Sequence, residues 1–142
     1  MPQNTIELTT KYILKSDLSS LREVEDIVES IANTLSIDRE KKILIKIALS
    51  EAVSNAIIHG NKNNPAKKVF LRYKLEKNNS IKYIYFEVED EGEGFEYTEF
   101  ITKKIKDIDP QSEKRGIIIM RSIANELCYR NKGKCVCLKF TV

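Results

Sequence analysis

The chain has 142 residues, 42% of them hydrophobic, which is enough for one domain with a substantial core and too few for two. Its 24 Lys and Arg residues against 21 Asp and Glu leave a net charge of +3, with both signs interspersed. Nucleic-acid-binding proteins usually concentrate basic residues on one face, so direct nucleic-acid binding is disfavoured. The N-terminus lacks a signal-peptide pattern, and no stretch approaches the ~18 apolar residues of a membrane span. These features predict a cytoplasmic protein without a membrane partner.

Segments with apolar residues at helical spacing predict helices, and runs of β-branched and aromatic residues predict strands. In chain order they are a strand (5–14), a helix that begins after Ser16-Asp17, a second helix (39–59), a hairpin (69–76 and 81–90), a long polar connection (91–116), a third helix (117–126) and two strands around residues 131–134. This order predicts an α+β two-layer sandwich, with three helices on one face of a mostly antiparallel, mixed sheet. One domain is expected to span residues 1–142.

The second helix is the best-defined element in the sequence. We expect its apolar residues to face the core and Gly60 to end the helix in the left-handed conformation. These apolar residues are Ile43, Leu44, Ile47, Ala48, Ala52, Val53, Ala56 and Ile57.

Three polar residues lie one helical turn apart on one face of this helix. Glu51, Asn55 and His59 follow one another at intervals of four residues and therefore project in the same direction. An Asn amide oxygen suits Mg²⁺, and a neighbouring carboxylate could deprotonate an attacking hydroxyl. The alternative is a solvent-facing helix edge that ends in a capping residue.

Two glycine-bearing segments follow. Asp90, Gly92 and Gly94 end a predicted strand in the spacing D-x-G-x-G, where Asp90 can accept a hydrogen bond from an exocyclic amine such as that of adenine. Glycine allows positive φ and the close approach of a flat base. Lys114-Arg115-Gly116 opens the third helix, whose N-terminus favours anions. Taken singly, each segment could instead be an ordinary acidic or basic turn.

Three cysteines, Cys128, Cys135 and Cys137, lie near the C-terminus. An odd number of cysteines without a secretion signal disfavours disulfides, and the single histidine is too distant in sequence to complete a zinc site. Cys135 and Cys137 are expected to share one face of a strand and to lie in the core.

Together and in this order, the strings EAVSNAIIHG, DEGEGF and RGIIIMRS resemble the N box and the two glycine boxes of the GHKL ATPases. The chain looks most like the anti-sigma-factor serine kinases, and the resemblance covers almost its whole length. It implies the Bergerat-type ATP-binding fold and an Mg²⁺-ATP-dependent protein serine kinase.

The resemblance also assigns roles to residues. Glu51 would be the catalytic base and Asn55 the Mg²⁺ ligand. Asp90 would bind the adenine amine and Gly92 and Gly94 would shape the base pocket. The remaining nucleotide-binding residues would be His59, beside the nucleotide, and Arg115, Gly116 and Ile117, near the phosphates.

In the family, such a kinase phosphorylates a small STAS-domain antagonist and sequesters a sigma factor. Two copies of the chain could also form a homodimer. Family members often carry a further glycine beside the position of Gly116, where this chain has Lys114 and Ile117 close by. This departure favours a second hypothesis, a partner-capture module without catalysis. A third, the catalytic domain of a sensor histidine kinase, would need a phosphoacceptor histidine on a dimerisation helix, and His59 lies inside the nucleotide motif.

Overall fold

The computed structural model describes residues 8–109 and 114–142, so the first residues of the predicted first strand and part of the long connection lie outside it. Five strands and four α-helices form the described architecture. In chain order they are β1 (Leu8–Lys15), α1 (Ser20–Leu35), α2 (Arg39–Asn55) with a π-helical extension (Ala56–Gly60), β2 (Lys68–Asn78), β3 (Ile81–Glu89), α3 (Thr98–Thr102), α4 (Arg115–Ile123), β4 (Glu126–Arg130) and β5 (Cys135–Thr141).

The strands form one sheet in the order β1-β2-β3-β5-β4. Each of the four neighbouring pairs is antiparallel, so the described sheet contains no parallel pair. The α+β prediction is confirmed. The long polar connection, for which no helix was predicted, contains the short helix α3 and a 3₁₀ turn, Ile105–Asp107.

Side-chain alternation gives the sheet an inner and an outer face. Ile84, Phe86 and Val88 of β3 are almost fully buried and pack with the helices, whereas the intervening Tyr85 and Glu87 point to the uncovered outer face. Leu138 of β5 lies opposite Phe86 and continues the inner layer. The hydrophobic core therefore lies between the inner face and the layer formed by α1, α2 and α4.

The predicted core stripe of α2 is correct only towards its C-terminal end. Ala48, Ala52, Val53, Ala56 and Ile57 are buried, as expected.

In the N-terminal half of α2, the face that packs against the core differs from the predicted one. Ile43, Leu44 and Ile47 are 44%, 41% and 43% exposed, whereas Ile45 and Leu49 are fully buried. Both sets have helical spacing and similar hydropathy, so periodicity alone cannot choose between them. The packing of α2 between α1 and α4 decides which stripe faces inward.

One helix, Arg39–Gly60, is long and apolar enough to cross a membrane by length and composition. The core helix of a folded domain meets the same criterion. Here its fully buried residues Ile45 and Leu49 belong to the core of the described domain.

The C-terminal end of α2 differs from the expected glycine cap. Gly60 does not adopt positive φ; instead Lys62 and Asn63 do, at 53° and 58°. The backbone N–H of Asn61 donates to the carbonyl of Ala56 at 2.8 Å, which closes the π turn. Glycine is required at position 60 because a Cβ atom there would lie 2.3 Å from Cγ of Asp90.

Asn61 is a buried polar residue, only 1% exposed, that joins four parts of the chain. Its Nδ2 donates to Oγ of Ser16 at 2.8 Å and to the carbonyl of Lys68 at 2.9 Å, while its Oδ1 accepts from the N–H of Glu91 at 2.8 Å. The end of α2 is thereby tied to the end of β1, the start of β2 and the segment after β3.

We expect Asn61→Ala to lower the free energy of unfolding by about 2–4 kcal/mol, because three hydrogen bonds are lost at a side chain that is only 1% exposed. Urea denaturation measures the change. Asn33→Ala is the control: Asn33 is exposed on α1, and its replacement should change stability by less than about 0.5 kcal/mol. Equal stability of the two variants would contradict the role given to Asn61.

Candidate active site

A cleft opens between the end of α2, the start of α4 and the inner face of the sheet. Of the predicted site residues, Asn55, His59, Asp90, Gly94 and Ile117 line it. The other lining residues come from the same elements and from the β4–β5 hairpin: Ala52, Ala56, Gly60, Val88, Phe95, Lys114, Met120, Tyr129, Gly133, Lys134 and Val136. Three separate sequence motifs therefore meet around one cavity.

Asp90 stands at the end of β3, at the inner end of the cleft. Its backbone N–H donates to the carbonyl of Lys134 at 3.0 Å, and its Oδ1 accepts from the N–H of Gly92 at 2.8 Å. Burial raises the pKa of its carboxyl group, against the opposing effects of the Gly92 hydrogen bond and the Lys134 charge. Asp90 is thus a fixed, partly desolvated acceptor, suited to a hydrogen bond from a ligand amine.

Gly92 does not line the cleft and does not adopt positive φ. Its role is a close backbone approach, since a Cβ atom on it would lie 2.1 Å from the carbonyl oxygen of Gly60. Gly60 in turn contacts the Asp90 carboxylate. The two glycines therefore hold the end of α2 against the Asp90 loop.

Gly94 has φ of +83°, as expected for a shaping glycine, and lines the cleft. A Cβ atom on it would lie 2.1 Å from the carbonyl oxygen of Lys132 in the β4–β5 turn. That turn contains Gly133, whose φ is +88° and whose Cβ would lie 2.6 Å from the carbonyl oxygen of Phe95. The two backbones approach each other at paired glycines, joined by the hydrogen bond from the Phe95 N–H to Lys132, 3.0 Å.

Gly116 brings the start of α4 against α2. A Cβ atom on Gly116 would lie 2.6 Å from Oε2 of Glu51 and 3.1 Å from Nδ2 of Asn55. Glu51 and Gly116 thus lie beside the cleft wall rather than in it. The side chain of Arg115 is exposed and does not line the cleft.

An aromatic cluster at the cleft was not singled out from the sequence. Tyr129 lies 5.3 Å from Phe95, edge to face, and 5.1 Å from Tyr97, stacked. Burial raises the pKa of the Tyr129 hydroxyl. Lys114 places its ammonium 4.6 Å from the Phe95 ring centroid. Alternation along β4, with Leu127 and Tyr129 on one face, is the signal that could have placed Tyr129 inward.

The connection after Gly94 lies over α4. Arg121 of α4 donates from Nη1 to the carbonyl of Phe100 at 3.2 Å and also to the carbonyl of Lys103. Both carbonyls belong to the C-terminal part of α3 and its cap. The lysines of this connection are exposed and do not line the cleft: Lys103, Lys104 and Lys106.

The family of the chain follows from a comparison with known proteins. A family model described as a histidine kinase-like ATPase domain matches residues 14–140. The chain belongs to this family. Because the family is one of ATPase domains, membership implies that the protein binds ATP.

Similar curated proteins carry the name anti-sigma F factor. That of Clostridium acetobutylicum is 32% identical over 137 residues, covering 94% of this chain and 90% of that protein. That of Geobacillus sp. is 33% identical over 100 residues, covering 67% of this chain and just under two thirds, 66%, of that protein. That of Bacillus subtilis is 36% identical over 73 residues, or 51% of this chain and 47% of that protein.

The contacts at Gly92 and Gly116 predict opposite outcomes for the same substitution. Gly92→Ala places a methyl group against a backbone carbonyl that cannot move aside, so we expect a loss of about 1–3 kcal/mol. Gly116→Ala meets the ends of the Glu51 and Asn55 side chains, which can turn aside, and gains about 0.5–1 kcal/mol of helix propensity. Urea denaturation of the two variants checks the contrast. A more stable Gly92→Ala variant would contradict the close approach.

Proposed function

We propose that the protein is an ATP-dependent protein serine kinase that also acts as an anti-sigma factor. It phosphorylates a STAS-domain antagonist and sequesters a sigma factor in the cytoplasm. The observation that best supports this proposal is that Asn55, Asp90 and the start of α4 surround one cleft. The names of the similar proteins support the anti-sigma role.

The base of the nucleotide is assigned to the inner end of the cleft. Asp90 accepts from the exocyclic amine of adenine, which guanine lacks at that position. Gly94 lets the base approach the backbone, and Phe95 and Tyr129 supply aromatic surface beside it. His59 is exposed at the end of α2 and lies beside the nucleotide.

The phosphates are assigned to the space between Asn55 and the first turn of α4. The backbone of Gly116 and Ile117 belongs to that turn, where helix N–H groups favour anions. Lys114 also lines the cleft, with its ammonium 4.6 Å from the Phe95 ring centroid. The proposed phosphate site therefore relies on the N–H groups in the first turn of α4.

The residues present fit a single Mg²⁺ held mainly by the nucleotide. Asn55 offers one amide oxygen, and Mg²⁺ typically uses one or two protein ligands together with phosphates and waters. Within residues 8–109 and 114–142, no group of three or more His, Cys, Asp or Glu side chains forms a metal site of its own. When bound, the ion would shield the phosphate charge during transfer.

Glu51 is assigned the role of general base. Its carboxylate lies against the start of α4 beside Asn55, where the γ-phosphate is expected. The serine hydroxyl oxygen of the antagonist forms a bond to the γ-phosphorus, the bond to the β–γ bridging oxygen breaks, and Glu51 accepts the hydroxyl proton. Positioning and charge neutralisation account for most of the rate.

A second candidate function is partner capture without phosphoryl transfer. The close contact of Gly116 with Glu51 and Asn55 favours it, because it leaves little room for the start of α4 to adjust around phosphates. Formation of a homodimer is a separate proposal, and neither candidate function requires it.

Asp90→Asn is expected to weaken ATP binding by about 1–3 kcal/mol, the usual cost of losing a charge-assisted hydrogen bond. The pKa of Asp90 is raised in the folded state, so its ionised form opposes folding above its unfolded pKa, and the neutral Asn removes that penalty. Stability at neutral pH should therefore be kept while affinity falls.

Calorimetric titration measures the affinity of the variant and of the parent protein for ATP and for GTP. Asp26→Asn, an exposed change on α1, serves as the control with unchanged affinity. If the parent bound GTP as tightly as ATP, the adenine role of Asp90 would be wrong.

Glu51→Gln separates the kinase from the capture module. The variant keeps its shape, so nucleotide and partner should still bind, but transfer of labelled phosphate to a STAS-domain partner should fall about 10²–10⁴-fold. Glu40→Gln, exposed in the first turn of α2, is the matched control with parental activity. A parent that transfers no phosphate, hydrolyses no ATP and binds its partner equally with and without nucleotide would leave only the capture module.

A further inference from the structure

The three cysteines form a cluster on the outer face of the sheet, and the predicted buried location is correct for Cys135, which is 3% exposed, but not for Cys137. Cys135 and Cys137 do share one face of β5, as predicted, but Val136 and Leu138 face the core instead. Cys128 of β4 lies directly opposite Cys137 in the register. Cys128 is exposed, Cys137 is half-buried and Cys135 is buried, all three with free thiols.

Arg130 contacts the central thiol of this cluster. Its Nε lies 3.1 Å from Sγ of Cys137 and donates to it, and its other end pairs with the carboxylate of Glu87. Hydrogen bonds from Cys135, then from Cys128 and Arg130, lower the pKa of the Cys137 thiol, against the opposing effect of burial. The pKa of the Cys128 thiol is raised, mainly by desolvation of its sulfur against the sheet and then by its hydrogen bond with Cys137. The cluster therefore holds one thiol prone to ionise beside another that stays protonated.

The acidic residues that face the cluster from β3 are already paired. Glu87 lies opposite Cys137 and Glu89 opposite Cys135. Arg72 of β2 contacts both carboxylates, at 3.1 Å each. Their negative charge is thus offset within the sheet, and the Cys137 thiolate is not left beside unpaired carboxylates.

We propose that Cys137 is a peroxide-reactive thiol and that Cys128 resolves its oxidised form to a cross-strand disulfide. Directly opposed residues in antiparallel strands have Cα atoms about 4.5–5.5 Å apart, within the roughly 4.4–6.8 Å of disulfides. Cys135 fits less well as a partner, since two residues along one strand span about 6.6 Å and their side chains point in parallel. Cys137 and Cys128 also line an open groove on this face, so peroxide reaches them.

The reaction balances with hydrogen peroxide as the oxidant. The Cys137 thiolate attacks one peroxide oxygen, the O–O bond breaks, and the released hydroxide takes a proton to form water. The sulfur of Cys128 then attacks the sulfenic sulfur of Cys137, the S–O bond breaks, and the departing hydroxide takes the Cys128 thiol proton to form a second water. Two thiols are oxidised by two electrons and one peroxide is reduced.

The test treats the full-length protein with a small excess of hydrogen peroxide and follows its intact mass without reductant. The parent should lose two hydrogen atoms and form a link between peptides that carry positions 128 and 137. Because Lys134 and Lys139 flank both thiols of β5, trypsin leaves Cys135 and Cys137 on one peptide. Cys135→Ser, which keeps a hydrogen-bond donor, should form the same link and so assigns it to Cys137.

Three further variants keep the proposal open to refutation. Cys128→Ser should stop at a sulfenic acid that dimedone traps, and Cys137→Ser should form no intramolecular link. Arg130→Gln should slow oxidation roughly three- to tenfold through the loss of the neighbouring cation, with Arg22→Gln on α1 as the unchanged control. Oxidation of Cys137→Ser at the parental rate, or a link found only between two copies through Cys128, would overturn the proposal.

Discussion

The contact on which the site depends is the backbone approach between the end of α2 and the segment after β3. A Cβ atom on Gly92 would collide with the carbonyl of Gly60, and one on Gly60 would collide with the Asp90 carboxylate. Asn61, next along the chain, ties the same two segments together, because its Oδ1 accepts a hydrogen bond from the N–H of Glu91. The π turn positions Gly60 and Asn61 for both contacts. The acceptor at the inner end of the cleft is thus held by backbone and amide groups.

The other end of the cleft depends on a second glycine contact. Gly116 lets α4 begin directly against Glu51 and Asn55, so the candidate base, the candidate metal ligand and the candidate phosphate site share one helix junction. Arg121 then joins α4 to the segment around α3. A movement of the segment around α3 would therefore be transmitted through α4 to the candidate phosphate site. Such a connection is expected where a loop covers a bound nucleotide.

The hairpin of β4 and β5 serves two surfaces because its side chains alternate. Tyr129 and Val136 form one pair of opposed residues, face inward and line the cleft. The next pair in the register, Cys128 and Cys137, lies on the outer face. The helices cover only one face of the sheet, so polar and reactive groups can occupy the other without entering the core. The thiol cluster therefore lies directly behind the candidate site, on the opposite face of the sheet.

From its sequence alone, the chain determined the α+β class and the order of the five strands and three longer helices, because these depend on local periodicity. Glycines at fixed spacing marked segments that the fold brings together around one cleft. The inward stripe of α2, the roles of Gly60 and Gly92, and the outer location of Cys135 and Cys137 were decided by tertiary structure. Ile43 and Ile45 are equally apolar, and a strand with apolar residues on both faces does not reveal which face the helices cover. Which face of a helix or strand is buried depends on the elements that pack against it, and local sequence patterns do not contain that information.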